Sequence, residues 1–374
     1  MSNGQKKNHG IFRKTAAYFQ EPLAPKVFLR RFFLALVIFL LIWVMLVWFL
    51  DPYICFHKAF FLKQAYTNSR AMIPGILRRY DYDTMICGSS MTQNFDIGEI
   101  NRELGVNCIK ATSAGLTGSD MDQYLKIALN DHRKTLKRCL IGVDTFAFAK
   151  NDSKLWKAYS YLYDESPFDP EYFLSADTFE AMYDMVRLNI RAIYHQDSRH
   201  QLNYSLMFGN KPSRMKFSGE LLREDIRQLV RKPVTPDNAS RSAMQQQLID
   251  HIRNHKNVKF DIFLPPYSVY YWCYLKENGV LEDYLRSREF LAEQLYALPN
   301  AVIHDFQCDT NIILNEEHYA DVMHYSPQVN TRIIRGIRDD SCRFTREEFK
   351  ERTGMIRLLA EKYYGTFNSI RHKK

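Results

Sequence analysis

The sequence has no Cys-x-x-Cys pair and no clustered Cys/His spacing, so no metal site and no cofactor is legible in it. Its seven cysteines are an odd number, and Cys87, Cys108 and Cys139 sit inside apolar, strand-like runs. They read as small buried hydrophobes rather than a disulfide framework. Internal repeats and low-complexity tracts are also missing, which excludes solenoids and long disordered arms. A general basic excess is missing too, although the net charge is +9. The basic residues concentrate at the two ends, and the long stretch between is slightly acidic, so no nucleic-acid partner is expected. Long uncharged apolar runs are scarce: there is one, Phe32 to Leu50.

That run would rise about 28 Å as a helix, close to the thickness of a bilayer hydrocarbon core. Lys6, Lys7, Arg13, Lys14, Lys26, Arg30 and Arg31 precede it and Asp51 follows at once, which predicts a cytoplasmic N-terminus. Trp43 and Trp48 lie in its outer half. A cleaved signal peptide would have a shorter apolar core and a small-x-small site, whereas this segment ends Val-Trp-Phe-Leu-Asp-Pro. The expectation is an uncleaved signal anchor at 32–50 behind a basic tail, 1–31, with the rest of the chain outside the cell membrane. A buried core helix is the plainer alternative.

With 46% apolar and 14% aromatic residues, the remainder can bury a sizeable core. After a juxtamembrane segment, 51–79, short β-rich runs alternate with helical ones: Tyr82–Cys87, Val106–Ala111, Arg138–Val143, Val258–Leu264 and Ala301–Phe306. Between them fall helix candidates at Ile97–Leu104, Ser119–Asp131, Ala239–Lys256, Glu282–Leu298 and Pro327–Ile337. The alternation predicts an α/β domain, a doubly wound parallel five-stranded sheet over 80–338. Residues 146–236 are too long for one crossover and read as an insertion, with helices at Glu171–Ala192 and Ser218–Val230. The end, 339–374, reads as a basic amphipathic helix, either touching anionic lipid or simply a solvated surface helix.

In such sheets ligands gather where strands end, so the turns leaving the strands are the places to search. The first is Gly88-Ser89-Ser90, where glycine allows a sharp turn that presents a hydroxyl, ahead of a helix N-terminus. The second, Ser113 to Ser119, holds Gly115 and Gly118, whose amides could approach a ligand as an oxyanion hole requires. The third is Asp321-Val-Met-His324: a serine hydroxyl needs a base, and the base needs a carboxylate to fix its tautomer. At an ordinary pKa such an imidazole would lose its base form below about 6.5. Asp197-Ser-Arg-His200 has the same spacing, but it lies in a polar part of the insertion rather than after a sheet strand. Tyr267 and Ser268, in Pro265-Pro266-Tyr267-Ser268, close the fourth strand and are candidates to line the pocket or to form a rigid turn. Trp156, Tyr159, Tyr161 and Tyr163 are candidates for a sugar-stacking surface or for the insertion's own core.

Gly88-Ser89-Ser90, Gly118 and Asp321-x-x-His324, in this order, resemble the blocks of the SGNH/GDSL hydrolase superfamily, whose sheet is flavodoxin-like. With its membrane anchor the pattern is similar to bacterial proteins of teichoic-acid D-alanylation and exopolysaccharide O-acetylation. The resemblance covers residues 80 to about 338. It implies Ser90 as nucleophile, His324 as base, Asp321 as its orienter, and the Ser90 and Gly118 amides as oxyanion donors. In one place the sequence departs from the family: Gly142-Val143-Asp144-Thr145 puts Asp144 where an asparagine amide usually donates. An ionised carboxylate cannot donate, so Asp144 is protonated, or binds a polar substrate group, or the donor is absent.

The expectation is therefore a membrane-anchored, extracytoplasmic serine acyl esterase or O-acyltransferase acting on a cell-surface glycan, with a multispanning membrane acyltransferase as a candidate partner. The rival is a non-catalytic glycan- or partner-binding scaffold on the same fold.

Overall fold

The computed structural model describes residues 24–130, 136–149, 158–164, 166, 169–195, 199, 201–207, 216–230 and 239–373. The chain divides into two compact units, Met1–Leu50 and Asp51–Lys374.

Among the described residues, the first unit contains one helix, α1 (Pro25–Leu50), long and apolar enough to cross a membrane. It begins seven residues before the apolar run. Proline is well suited to the first helical position, where its missing N–H costs nothing, and Lys26, Arg30 and Arg31 then occupy the first two turns.

The second unit is built on five parallel strands in the order β2-β1-β3-β4-β5: β1 (Thr84–Gly88), β2 (Cys108–Thr112), β3 (Arg138–Gly142), β4 (Lys259–Leu264) and β5 (Ala301–Asp305). All five residues of β1 and of β2 are buried, which explains why these strands read as unbroken apolar runs rather than as alternation. From β1 the chain steps outward to β2, then returns past β1 to lay down β3, β4 and β5. The reversal lies between β1 and β3, and the turns leaving those strands flank it.

Ten further helices are needed below: α2 (Ser69–Arg79), the single turn α3 (Ser90–Gln93), α4 (Ile97–Leu104), α5 (Gly118–Asn130), α6 (Ala176–Tyr194), α7 (Gly219–Gln228), α8 (Val269–Glu277), α9 (Leu281–Tyr296), α10 (Pro327–Arg338) and α11 (Arg346–Arg371). The insertion helix expected from Glu171 is broken at Ser175, whose hydroxyl caps α6 by accepting the Thr178 amide. The helical run 239–254 holds a π-helical stretch at Gln245–Ile249. In α2, Gly75 faces the carbonyls of Tyr53 and Ile54 so closely that no side chain would fit.

The C-terminal helix is an integral part of this unit. A capping box of Thr345 and Glu348 starts α11, and Phe349, Ile356, Ala360 and Phe367 bury one face that packs on α8 and α9. Beneath it Arg288 of α9, wholly buried, forks onto both oxygens of Asp305 (2.9 and 2.8 Å) and reaches Thr353 of α11 (3.0 Å). Burial alone would push the Asp305 carboxyl up. The charges and bonds of Arg288, and of Arg352 at 2.7 Å, win and hold it well below the usual range. We expect Arg288→Ala to cost about 3–5 kcal/mol, since it strands a buried carboxylate and empties a large volume. Urea unfolding of the detergent-solubilised full chain would check this.

Candidate active site

β1 ends at Gly88 with φ +156°, a backbone L side chains rarely adopt, and a Cβ there would strike Thr92 and the Gly142 carbonyl. The chain can thus turn off the sheet directly against β3. Ser89 follows as the N-cap of α3, accepting the Met91 amide at 3.2 Å, and Ser90 is the first residue of that helix. With one turn only, α3 offers little of the dipole that a longer helix would supply. The two hydroxyls part here: Ser89 is buried, and Ser90 is partly open to solvent.

Ser90 Oγ lies 2.9 Å from His324 Nε2, and His324 Nδ1 lies 2.6 Å from Asp321 Oδ2. A carboxylate only accepts, so Nδ1 carries the proton and Nε2 is left to accept from the serine. The loop that presents this pair is tightly made. Asp321 Oδ1 accepts the amides of Met323 and His324 (2.8 and 2.7 Å), and the Ala320 amide reaches the His324 carbonyl.

Ser268 supports the same loop from below, its amide and hydroxyl both donating to the Val322 carbonyl (3.1 and 2.9 Å). Asp225 of α7 supports it from the insertion, accepting the Val322 amide at 3.0 Å. Burial works against an imidazolium at His324. The hydrogen bond and charge of Asp321 outweigh it, aided by Asp144 and Asp225, and raise the histidine above its ordinary 6.5. The expectation of an unperturbed value is corrected accordingly. Asp321, also partly buried, is held low by the same bond.

Asp144 is wholly enclosed by protein. One oxygen accepts the Ser89 hydroxyl and the other the Tyr267 hydroxyl, and only 2% of the residue is exposed. Burial pushes its carboxyl up against the pull of those two bonds and of His324. Burial, with the Asp144 charge behind it, pushes the Tyr267 phenol far up as well, keeping it a neutral donor.

Three expectations change here. Asp144 does not reach out to a substrate, because both of its oxygens are already engaged. Tyr267 (0% exposed) and Ser268 (1%) do not line an open pocket, because their hydroxyls are spent on Asp144 and on Val322. All three hold other residues in position. Gly118 opens α5 and is buried, its Cα against Phe148 and Gln247, where a side chain would collide.

Two supporting residues escaped the sequence reading. Asp225 carried no signal beyond a charge on an amphipathic helix. Lys110 did carry one, a lone lysine within Cys-Ile-Lys-Ala-Thr. It is fully buried on β2, where its ammonium donates to the carbonyls of Gln93 (3.1 Å) and Met207 (3.0 Å), tying the end of α3 to the insertion. Burial, opposed by the charge of Asp96, pushes it down to about 7.

A cavity of about 740 Å³ lies elsewhere, lined by Arg78, Lys126, Tyr161, Tyr163 and Tyr172 among others, and none of Ser90, Asp321 and His324 borders it. Tyr159 lies apart from that lining, its hydroxyl accepting from Asn68 at 2.8 Å. Trp156, Asp197 and His200 fall outside the described residues. Among the described residues no group of three or more His, Cys, Asp and Glu side chains is arranged to hold a metal.

No family model matches the chain. No curated protein matches it either. One solved structure similar to it is provisionally identified as a platelet activating factor from Streptococcus pneumonia, at 9% identity over 73% of this chain and 91% of that one, with a TM-score of 0.39.

Proposed function

We propose that the protein is a membrane-anchored serine acyl esterase or O-acyltransferase of the SGNH type, acting outside the cell on acyl esters of a cell-surface glycan. One observation carries this reading: the unbroken line of hydrogen bonds Asp321–His324–Ser90, with the serine partly open to solvent.

In the proposed reaction Ser90 Oγ attacks the ester carbonyl carbon while its proton passes to His324 Nε2. Asp321 stabilises the resulting cation. The tetrahedral intermediate collapses, the C–O bond to the alcohol breaks, and His324 returns the proton to the departing oxygen. Water or a sugar hydroxyl then attacks the acyl-serine and gives its proton to His324, which hands it back to Ser90. Hydrolysis and transfer differ only in that second nucleophile. The amides of Ser90 and Gly118 are the proposed donors to the oxyanion, and Asp144, which can only accept when ionised, takes no part in it.

A fluorophosphonate probe tests the reading, since only an activated serine is labelled. Labelling should fall as pH is lowered through a midpoint above the ordinary histidine value of 6.5, because protonated Nε2 cannot accept the serine proton. A midpoint at or below 6.5 would contradict the raised value, and no labelling at any pH would favour the binding-scaffold alternative.

A further inference from the structure

We propose that Asp225 binds substrate: one of its carboxylate oxygens holds the loop of Asp321 and His324, and the other accepts a free hydroxyl of the sugar that carries the acyl group. The inference deepens the proposed function and rests on it.

Helix α7 is fastened along that loop. The Ser218 amide donates to the Tyr319 carbonyl (3.1 Å) and the Gly219 amide to Glu317 (3.1 Å), while Arg223 pairs with Glu316 at 2.7 Å. Further along the helix, Asp225 Oδ2 accepts the Val322 amide at 3.0 Å. Val322 lies two residues before His324, so their Cα atoms are at most about 8 Å apart. Asp225 therefore stands beside the base, on an element that is itself held in place.

Its other oxygen is uncommitted. Asp225 is partly exposed, and among the described residues Oδ1 has no hydrogen bond or ion pair and is not enclosed by protein. Ser90 is partly open as well, and the side chains of Asp321 and His324 are 31% and 28% exposed. Asp321, Asp144 and Asp225 all act on the charge of His324. Asp321 spends its oxygens on two amides and the imidazole, and Asp144 on the Ser89 and Tyr267 hydroxyls. That leaves Asp225 as the one of the three with an acceptor to offer.

The residue type points the same way. Holding one amide needs only a neutral oxygen, which asparagine would supply. A carboxylate is the costlier choice here: burial, and the like charge of Asp321, push it up against the pull of the Val322 bond and of His324. What the carboxylate adds is a second, charged oxygen that can only accept, and its match is a hydroxyl donor. A sugar bearing its acyl group at Ser90 carries such donors on the neighbouring ring carbons.

The test compares two acetyl esters with the detergent-solubilised full chain: phenyl acetate, which has no hydroxyl, and 6-O-acetylglucose, whose ring hydroxyls are free. The parent should show the higher kcat/KM on the sugar. Asp225→Asn keeps an oxygen for the Val322 amide, and should lower kcat/KM for the sugar about ten- to a hundred-fold more than for phenyl acetate, mainly through KM. Both esters use the same base, so any change at His324 cancels in that ratio. Asp225→Ala also loosens the loop and should slow both esters, with the ratio falling as far as in Asp225→Asn. A parent without preference for the sugar, or a ratio unchanged in Asp225→Asn, would overturn the inference and leave the triad intact. Turnover of neither ester by the parent, with no fluorophosphonate labelling, would overturn the proposed function and this inference with it.

Discussion

Ser90→Ala should abolish fluorophosphonate labelling and lower turnover of acylated glycan by several orders of magnitude, while the protein stays folded and membrane-inserted. Loss of the attacking oxygen leaves only binding and oxyanion stabilisation, which preserve a small residue of rate enhancement. Ser89→Ala is the contrasting variant. Its hydroxyl caps α3 and donates to Asp144, so the variant should keep labelling at Ser90 while losing about 1–2 kcal/mol of stability through the missing cap. A Ser90→Ala protein with full activity would sink the mechanism, and a Ser89→Ala protein that labels no better than Ser90→Ala would mean that the wrong hydroxyl had been chosen.

The second large effect is expected at the other end of the line. Asp321→Asn should reduce acyl turnover by about 10⁴-fold, since an asparagine amide favours the wrong imidazole tautomer and gives no charge to stabilise the cation. What activity remains should show its acid limb at lower pH than the parent, because the Asp321 bond and charge are what raise His324. His324→Ala should remove nearly all turnover, whereas His200→Ala should leave it within a few-fold. Equal losses at the two histidines, or an unmoved acid limb in Asp321→Asn, would mean that the base lies elsewhere.

Much of the frame was legible in the sequence because strands buried on both faces announce themselves as short apolar runs. All five expected strands are present within two residues of their expected ends. Helices α4, α9 and α10 were visible through caps and periodicity, and Asp96 and Pro327 stand where such starts require. Helix α8 escaped because Val-Tyr-Tyr-Trp-Cys-Tyr is β-like in every local preference. Burial of six of its nine residues, partly against α11, overrides that preference.

The site divides along the same line. Strand ends and spacing drew attention to Gly88-Ser89-Ser90 and to Asp321-x-x-His324, and the resemblance to the SGNH/GDSL blocks implied a role for each, since those blocks consist of few residues of distinctive type. What surrounds them was not legible, because Tyr267, Ser268 and Asp225 act through bonds to Asp144 and Val322 that only the folded chain brings together. Asp144 is the clearest case. The sequence left three readings open, and the burial of both its oxygens under protein hydroxyls removes the one in which it binds substrate.

Ser90 and His324 are 234 residues apart in sequence, one leaving the first strand of the sheet and the other following the last. On the proposed mechanism, a chain made from its N-terminus carries the turn of Ser90 early, and until Asp321 and His324 have emerged that hydroxyl lacks its proposed base. Helix α11 comes later still in the chain, and its Arg352 and Thr353 are bonded to Asp305 and Arg288. On the proposed mechanism, a chain cut short before residue 321 would therefore carry a serine with no base to activate it. On that reading, reactivity needs residues contributed by both ends of the sheet's strand sequence, the turn after β1 and the loop after β5.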